Sequence, residues 1–163
     1  MKDDDELTAL ARELGEVLAS RGFTLALAES CTGGGVAEAI TRIAGSSGWF
    51  ECGFVTYSNA AKHDLLHVPR EALERFGAVS EEVVREMARG ALESSRAQVA
   101  VAVTGIAGPG GGTTRKPVGM VCFAWAARGE APQSRTFRFS GGRSSVRRRS
   151  VAVALQGLID LLR

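Results

Sequence analysis

Apolar and polar positions change period several times along this chain, and the changes outline its elements. Leu7, Leu10, Ala11, Leu14, Val17 and Leu18 recur at helical spacing with Gly22 just beyond them, so the chain opens with a helix that stops at that glycine. The short, largely apolar run Phe23 to Glu29 reads as a buried strand. It empties into Ser30-Cys31-Thr32-Gly33-Gly34-Gly35, after which Val36 to Ala44 reads as a helix. Phe50 to Tyr57, rich in aromatic and β-branched residues, predicts a second strand, followed by a short helix from Asn59 to Leu66. Pro69 opens another short helix reaching Phe76. Ser80 is placed to cap a longer one, with Glu81 and Glu82 complementing its dipole and Val83, Val84, Met87, Ala88, Ala91 and Leu92 forming its buried stripe.

Val99 to Val103 predicts a third strand, and Pro117 to Ala127 and Ser134 to Ser140 two more. The last two are joined by Arg128-Gly129-Glu130-Ala131-Pro132, short enough for an antiparallel hairpin. A final helix from Arg143 to Arg163 carries Val146, Val153, Ala154, Leu158 and Leu161 at helical intervals. Strands alternating with helices early and a hairpin late predict an α/β fold: a three-layer α/β/α sandwich with a mixed central sheet and functional loops at the strand ends. At 163 residues, 45% of them hydrophobic, the chain is expected to form one domain spanning residues 1–163.

Net charge is only +2, which argues against a protein that holds nucleic acid by a broad electrostatic surface. The charge is unevenly spread: acidic residues crowd the start, while Arg135, Arg138, Arg143, Arg147, Arg148 and Arg149 fall together near the end. Cys31, Cys52 and Cys122 are odd in number and lack paired spacing, so neither a disulfide framework nor a zinc ribbon is indicated, and a cytoplasmic location is expected. No apolar run approaches the roughly 20 residues that span a bilayer, and the acidic N-terminus is unlike a signal peptide, so no membrane partner is expected.

Two glycine-rich turns carry the chemical signal. Glu29 to Gly35, and Thr104-Gly105-Ile106-Ala107-Gly108-Pro109-Gly110-Gly111-Gly112, each follow a predicted strand, where backbone N–H groups can approach a ligand closely. The first also leads into a helix, whose positive end favours a phosphate or a developing oxyanion. Two such turns point to a small anionic ligand. Neither has the spacing of a dinucleotide fingerprint or a P-loop. No Ser-His-Asp arrangement is visible, so a lysine is the natural base for a serine, provided burial or a nearby cation leaves it partly neutral. Lys62 is the candidate, with Tyr57 five residues before it as a possible proton relay or hydrogen-bond partner. His63 and His67 stand at i and i+4, but no third ligand is evident and no metal is expected.

Taken in order, Ala28-Glu29-Ser30-Cys31-Thr32-Gly33-Gly34, Ala44-Gly45-Ser46-Ser47, Gly53-Phe54-Val55-Thr56-Tyr57-Ser58-Asn59 with Lys62, Gly77-Ala78-Val79-Ser80, Thr104-Gly105-Ile106-Ala107-Gly108-Pro109 and Lys116-Pro117-Val118-Gly119 closely resemble the CinA C-terminal domain family over essentially the whole chain. The chain looks like the stand-alone version, without the larger N-terminal domain that some relatives carry. The resemblance implies a nicotinamide-nucleotide amidohydrolase of pyridine-nucleotide salvage. Such an enzyme hydrolyses the carboxamide of nicotinamide mononucleotide to nicotinic acid mononucleotide and ammonia, with a serine and a lysine and with neither metal nor cofactor. It also implies a homodimer. The rival expectation is a non-catalytic nucleotide-sensing or interaction domain linked to competence or DNA damage.

The matching positions are Ser30, Ser47, Tyr57, Lys62, Thr104 and an arginine of the segment Arg143 to Arg147; with the glycine turns, the candidate site is Ser30, Ser47, Tyr57 and Lys62 for catalysis and Thr32, Gly33, Gly34, Thr104, Gly105, Arg143 and Arg147 for substrate binding. The favoured assignment makes Ser47 the nucleophile with Lys62 as its base, leaving Ser30 to bind an oxyanion or phosphate. The reverse assignment, with Ser30 attacking from a nucleophile-elbow-like turn, stands as the alternative. Gly110 and Gly142 depart from the family pattern, which often has acidic residues at those two positions.

Overall fold

The computed structural model describes residues 2–163. In chain order it contains α1 (Lys2–Arg21), β1 (Leu25–Glu29), α2 (Gly35–Thr41), β2 (Phe50–Val55), α3 (Asn59–Leu66), α4 (Arg70–Phe76), α5 (Glu81–Glu93), β3 (Val99–Gly105), β4 (Met120–Ala127), β5 (Gln133–Arg138) and α6 (Arg143–Leu162), with one 3-10 turn, Ser46–Gly48, ahead of β2. The sheet order is β2-β1-β3-β4-β5. β1 pairs in parallel with β2 and β3, whereas β3 with β4 and β4 with β5 are antiparallel, giving the mixed sheet that the sequence predicts.

Element ends shift by a few residues for local reasons. The first strand begins at Leu25 rather than Phe23 because the Phe23 N–H donates back to Leu18 O and closes α1 around left-handed Gly22. The second helix stops at Thr41, short of Ala44, where the chain turns through Gly45 at φ 85°. Ser80 caps α5 as expected, its hydroxyl accepting from the Val83 N–H at 3.2 Å.

Strand alternation divides the core into two unlike halves. Leu25, Leu27, Val99, Val101, Val103, Val121, Phe123 and Trp125 face α1, α2 and α6. The intervening Ala26, Ala28, Ala100, Ala102, Ala124 and Ala126, with Cys122, face the layer of α3, α4 and α5. Bulky side chains fill the first interface; on the second, small ones let α5 lie close over β1, β3 and β4. Helix α3 in turn crosses α5 at Gly90, where a Cβ would stand only 1.9 Å from Leu66 O. That close crossing seats α3 near the carboxyl ends of the parallel strands.

Candidate active site

Because β1, β2 and β3 run in parallel, the residues just past their carboxyl ends meet along one edge of the sheet. The Ser30 N–H donates to Val103 O at 3.0 Å, and the Thr56 N–H to Glu29 O at 2.9 Å, so the chain leaves β1 and β2 side by side. Ser58 then caps α3, accepting from the Ala61 N–H, and the first turn of that helix points Lys62 inward. Lys62 is only 1% exposed. Its Nζ donates to Ser30 Oγ at 2.9 Å, to Thr56 O at 2.7 Å and to Tyr57 O at 3.3 Å. Burial pushes the amine down to about 8, because a low-dielectric surrounding penalises the charged form.

Ser47 does not share this site. It is exposed in the 3-10 turn that precedes β2, at the edge where the parallel strands begin. Five strand residues at ~3.3 Å each put that edge roughly 15 Å from the one bearing Ser30. The favoured pairing of Ser47 with Lys62 is therefore corrected: the hydroxyl that meets the amine is that of Ser30.

A cleft of about 260 Å³ opens in front of this pair, walled by Ser30, Cys31, Tyr57, Lys62, Thr104 to Gly108 and Arg143 among others. Of the expected substrate-binding residues, Thr104, Gly105 and Arg143 line it; Thr32, Gly33, Gly34 and Arg147 do not. Thr104 is buried and its hydroxyl donates to Ala78 O at 3.1 Å. Arg143, at the start of α6, donates through Nη1 to Gly108 O at 2.8 Å and through Nη2 to the Tyr57 hydroxyl at 3.1 Å. It thereby ties two loops to the start of α6 at the cleft mouth.

The anion site expected at the first glycine turn is already filled from within. Glu29, 1% exposed, accepts from the Thr32 hydroxyl at 2.6 Å and from the N–H groups of Val36 and Ala37 at 2.9 and 3.1 Å. Its carboxylate occupies the positive end of α2, where a ligand phosphate would otherwise be drawn. A carboxylate directly preceding a glycine turn and helix was the available signal. Arg147 approaches from α6, its Nε donating to Cys31 O at 3.1 Å and its Nη2 to Thr32 O at 3.2 Å. Among the described residues, the N–H groups of Cys31, Thr32 and Gly34 donate to no backbone carbonyl, and of these three residues Cys31 lines the cleft. Burial pushes the Cys31 thiol up to about 12, leaving it a poor nucleophile at neutral pH.

His63 and His67 do not form a paired face. The His63 ring nitrogen Nδ1 lies 2.9 Å from Val68 O, and His67 ends α3 in the left-handed conformation. No helix among the described residues is long and apolar enough to cross a membrane.

The CinA C-terminal domain model matches residues 7–162. This chain belongs to the CinA C-terminal domain family. It is 57% identical over 156 residues to the nicotinamide-nucleotide amidohydrolase PncC of Escherichia coli K12, covering 95% of this chain and 94% of that protein. It is 53% identical to the PncC of Pseudomonas putida, covering 96% and 98%. Among solved structures, the competence/damage inducible protein CihA of Agrobacterium tumefaciens superposes with a TM-score of 0.95 at 48% identity, over 97% of this chain and 96% of that one.

Proposed function

We propose that this protein is a nicotinamide-nucleotide amidohydrolase that converts nicotinamide mononucleotide and water to nicotinic acid mononucleotide and ammonia, with Ser30 as nucleophile and Lys62 as general base and acid. The activity is supported by the two PncC relatives, each aligned over nearly its whole length. The observation that carries the residue roles is the buried Lys62 amine 2.9 Å from the Ser30 hydroxyl at the cleft wall.

With its pKa near 8, about one amine in ten is neutral at pH 7, against roughly one in 3,000 for an ordinary lysine. A neutral amine has two N–H groups and one lone pair. Thr56 O and Tyr57 O hold the two hydrogens, which turns the lone pair toward Ser30. The serine O–H then donates to Nζ, and Oγ attacks the carboxamide carbon as the proton passes to the amine. The N–H group of Cys31, at the cleft wall, stabilises the oxygen that becomes negative. Lys62 returns its proton to the departing nitrogen, ammonia leaves, and Ser30 carries the acyl group as an ester. Once neutral again, Lys62 takes a proton from water as its oxygen attacks the ester, then returns that proton to Ser30 Oγ as the acyl C–Oγ bond breaks, and the acid product leaves and ionises to the carboxylate. Arg143 is the cation at the cleft mouth and is assigned to the substrate phosphate, beside the N-terminus of α6. Thr104 and Gly105 form the wall against which the substrate lies.

The reading extends to a cytoplasmic homodimer acting in pyridine-nucleotide salvage, and sedimentation velocity tests the assembly. The decisive assay is ammonia release from nicotinamide mononucleotide. Ser30→Ala and Lys62→Ala are expected to lose roughly three orders of magnitude or more in kcat, whereas Ser47→Ala keeps wild-type turnover. An inactive wild type rejects the activity. An active Ser30→Ala beside an inactive Ser47→Ala rejects the roles.

A further inference from the structure

Arg147 was expected among the substrate-binding residues, yet it stands outside the cleft, half-buried, with its guanidinium spent on the backbone of the turn that follows Ser30. We propose that Arg147 is a positioning residue: its bonds to the carbonyls of Cys31 and Thr32 hold that turn so that the Cys31 N–H, at the cleft wall, faces the reacting carbonyl oxygen. The assignment rests on the amidohydrolase reading above.

A trans peptide is rigid and carries its C=O and N–H on opposite sides. Drawing Cys31 O toward Arg147 Nε therefore turns the Thr32 N–H away from the arginine. The preceding peptide is set in the same manner, because Ser30 O accepts from the Gly33 N–H at 3.0 Å, which leaves the Cys31 N–H on the other side. Thr32 O takes two donors, the Gly35 N–H at 2.9 Å and Arg147 Nη2 at 3.2 Å. On the other flank, Glu29 fixes the Thr32 hydroxyl and the start of α2. The carbonyls of Ser30, Cys31 and Thr32 and the Thr32 hydroxyl are thus committed, and the Cys31 N–H at the cleft wall is left for the oxyanion.

The sequence around the contact fits this role. Gly33 sits at φ 58°, and a Cβ there would come within 3.3 Å of Arg147 Nη2, so a side chain would both strain the turn and crowd the guanidinium. Two carbonyls on adjacent residues call for two donors held in one plane, which the guanidinium fork supplies and a lysine ammonium does not. Substrate reaches none of these atoms, so the effect of losing them falls on the chemical step rather than on binding.

The experiment compares wild type, Arg147→Met, Arg147→Lys, Arg147→Ala and Arg149→Ala in steady-state ammonia release from nicotinamide mononucleotide, with circular dichroism on each. In the Arg147 variants kcat is expected to fall on the order of 100-fold, the cost of displacing a reacting group by about an ångström, while KM stays within about threefold. The pH midpoint of the remaining activity stays where the wild type has it, because Lys62 is untouched. Guanidinium chloride at about 20 mM partly restores Arg147→Ala, whereas the same concentration of sodium chloride does not, since only the planar cation can refill the vacated fork. Arg149→Ala, altered at an exposed position on the same helix, keeps wild-type kinetics.

A raised KM with retained kcat would overturn the proposal and make Arg147 a substrate ligand. Unchanged kinetics, or a loss of kcat that only tracks loss of native circular dichroism, would overturn it as well. A wild type that releases no ammonia strikes instead at the amidohydrolase reading.

Discussion

Lys62 should make the stability of the folded protein depend on pH in a way that a variant lacking the amine does not. The perturbation is a rise from pH 7 to pH 10, applied to wild type and to Lys62→Met. Burial holds the folded amine near 8 against an ordinary value of 10.5. Below pH 8 both folded and unfolded chains carry the proton, and the folded state bears the full cost of the buried charge. The shift of 10.5 − 8 = 2.5 pH units corresponds to about 3 kcal/mol at ~1.4 kcal/mol per unit. Between pH 8 and 10.5 the unfolded chain binds more protons than the folded one, so stability rises with pH across that window. From pH 7 to pH 10 the gain is about 2–3 kcal/mol for wild type relative to Lys62→Met, in which every other titrating group still cancels. Urea unfolding of both proteins at pH 7, 8, 9 and 10 reads the double difference. With Lys62 as the general base proposed above, kcat/KM should climb about tenfold per pH unit below the midpoint and level off near pH 8. Parallel stability curves for the two proteins, or a turnover midpoint close to 10, would refute the assignment of a desolvated amine at this position.

Three further outcomes follow from contacts of single residues. Gly90→Ala gains about 1 kcal/mol of helix propensity but drives a methyl into Leu66 O, so thermal unfolding should show a net loss of about 1–2 kcal/mol. Ammonia release in the same variant should fall about tenfold or more, because Leu66 lies one turn beyond Lys62 on α3. Gly142→Asp places a capping carboxylate at the start of α6, where φ is −79° and a Cβ would meet nothing within 4 Å, and should raise stability by about 0.5 kcal/mol in urea titration. Thr32→Val removes the hydroxyl bonded to buried Glu29 and should cost about 1–3 kcal/mol, measured the same way.

The layers of the fold were readable because strand periodicity and residue size coincide. In β1, β3 and β4, Leu, Val, Phe and Trp alternate with Ala almost without exception, so the two faces differ in bulk and each accepts a different helix layer. The hairpin between β4 and β5 was visible in its five-residue connection. Less visible were the exact strand starts, which depend on backbone bonds such as Phe23 N–H to Leu18 O that no side-chain pattern encodes. Glycines that admit a neighbour, such as Gly157 beneath the Trp125 ring, read in the sequence only as weak points in a helix.

The site was half legible, and the missing half is topological. Lys62 and Tyr57 stood out by chemistry, but which serine meets the amine depends on which ends of the strands lie together. Ser30 follows a strand, Ser47 precedes the next one, and the two strands are joined through α2. A crossover of that kind makes neighbouring strands parallel, so the end of one lies beside the end of the other and opposite to its start. Lys62 comes after β2 and must therefore share an edge with Ser30. The glycine turn misled for a different reason. Its glycines and helix do form an anion site, as the spacing implies, but the anion is Glu29 of the same chain. With that position filled, an anionic substrate of the kind proposed would have its charge met elsewhere, and Arg143 is the cation that the cleft offers besides Lys62 itself. In the mechanism proposed above, this division leaves the first turn to hold the attacking serine and the oxyanion, and the start of α6 to hold the phosphate.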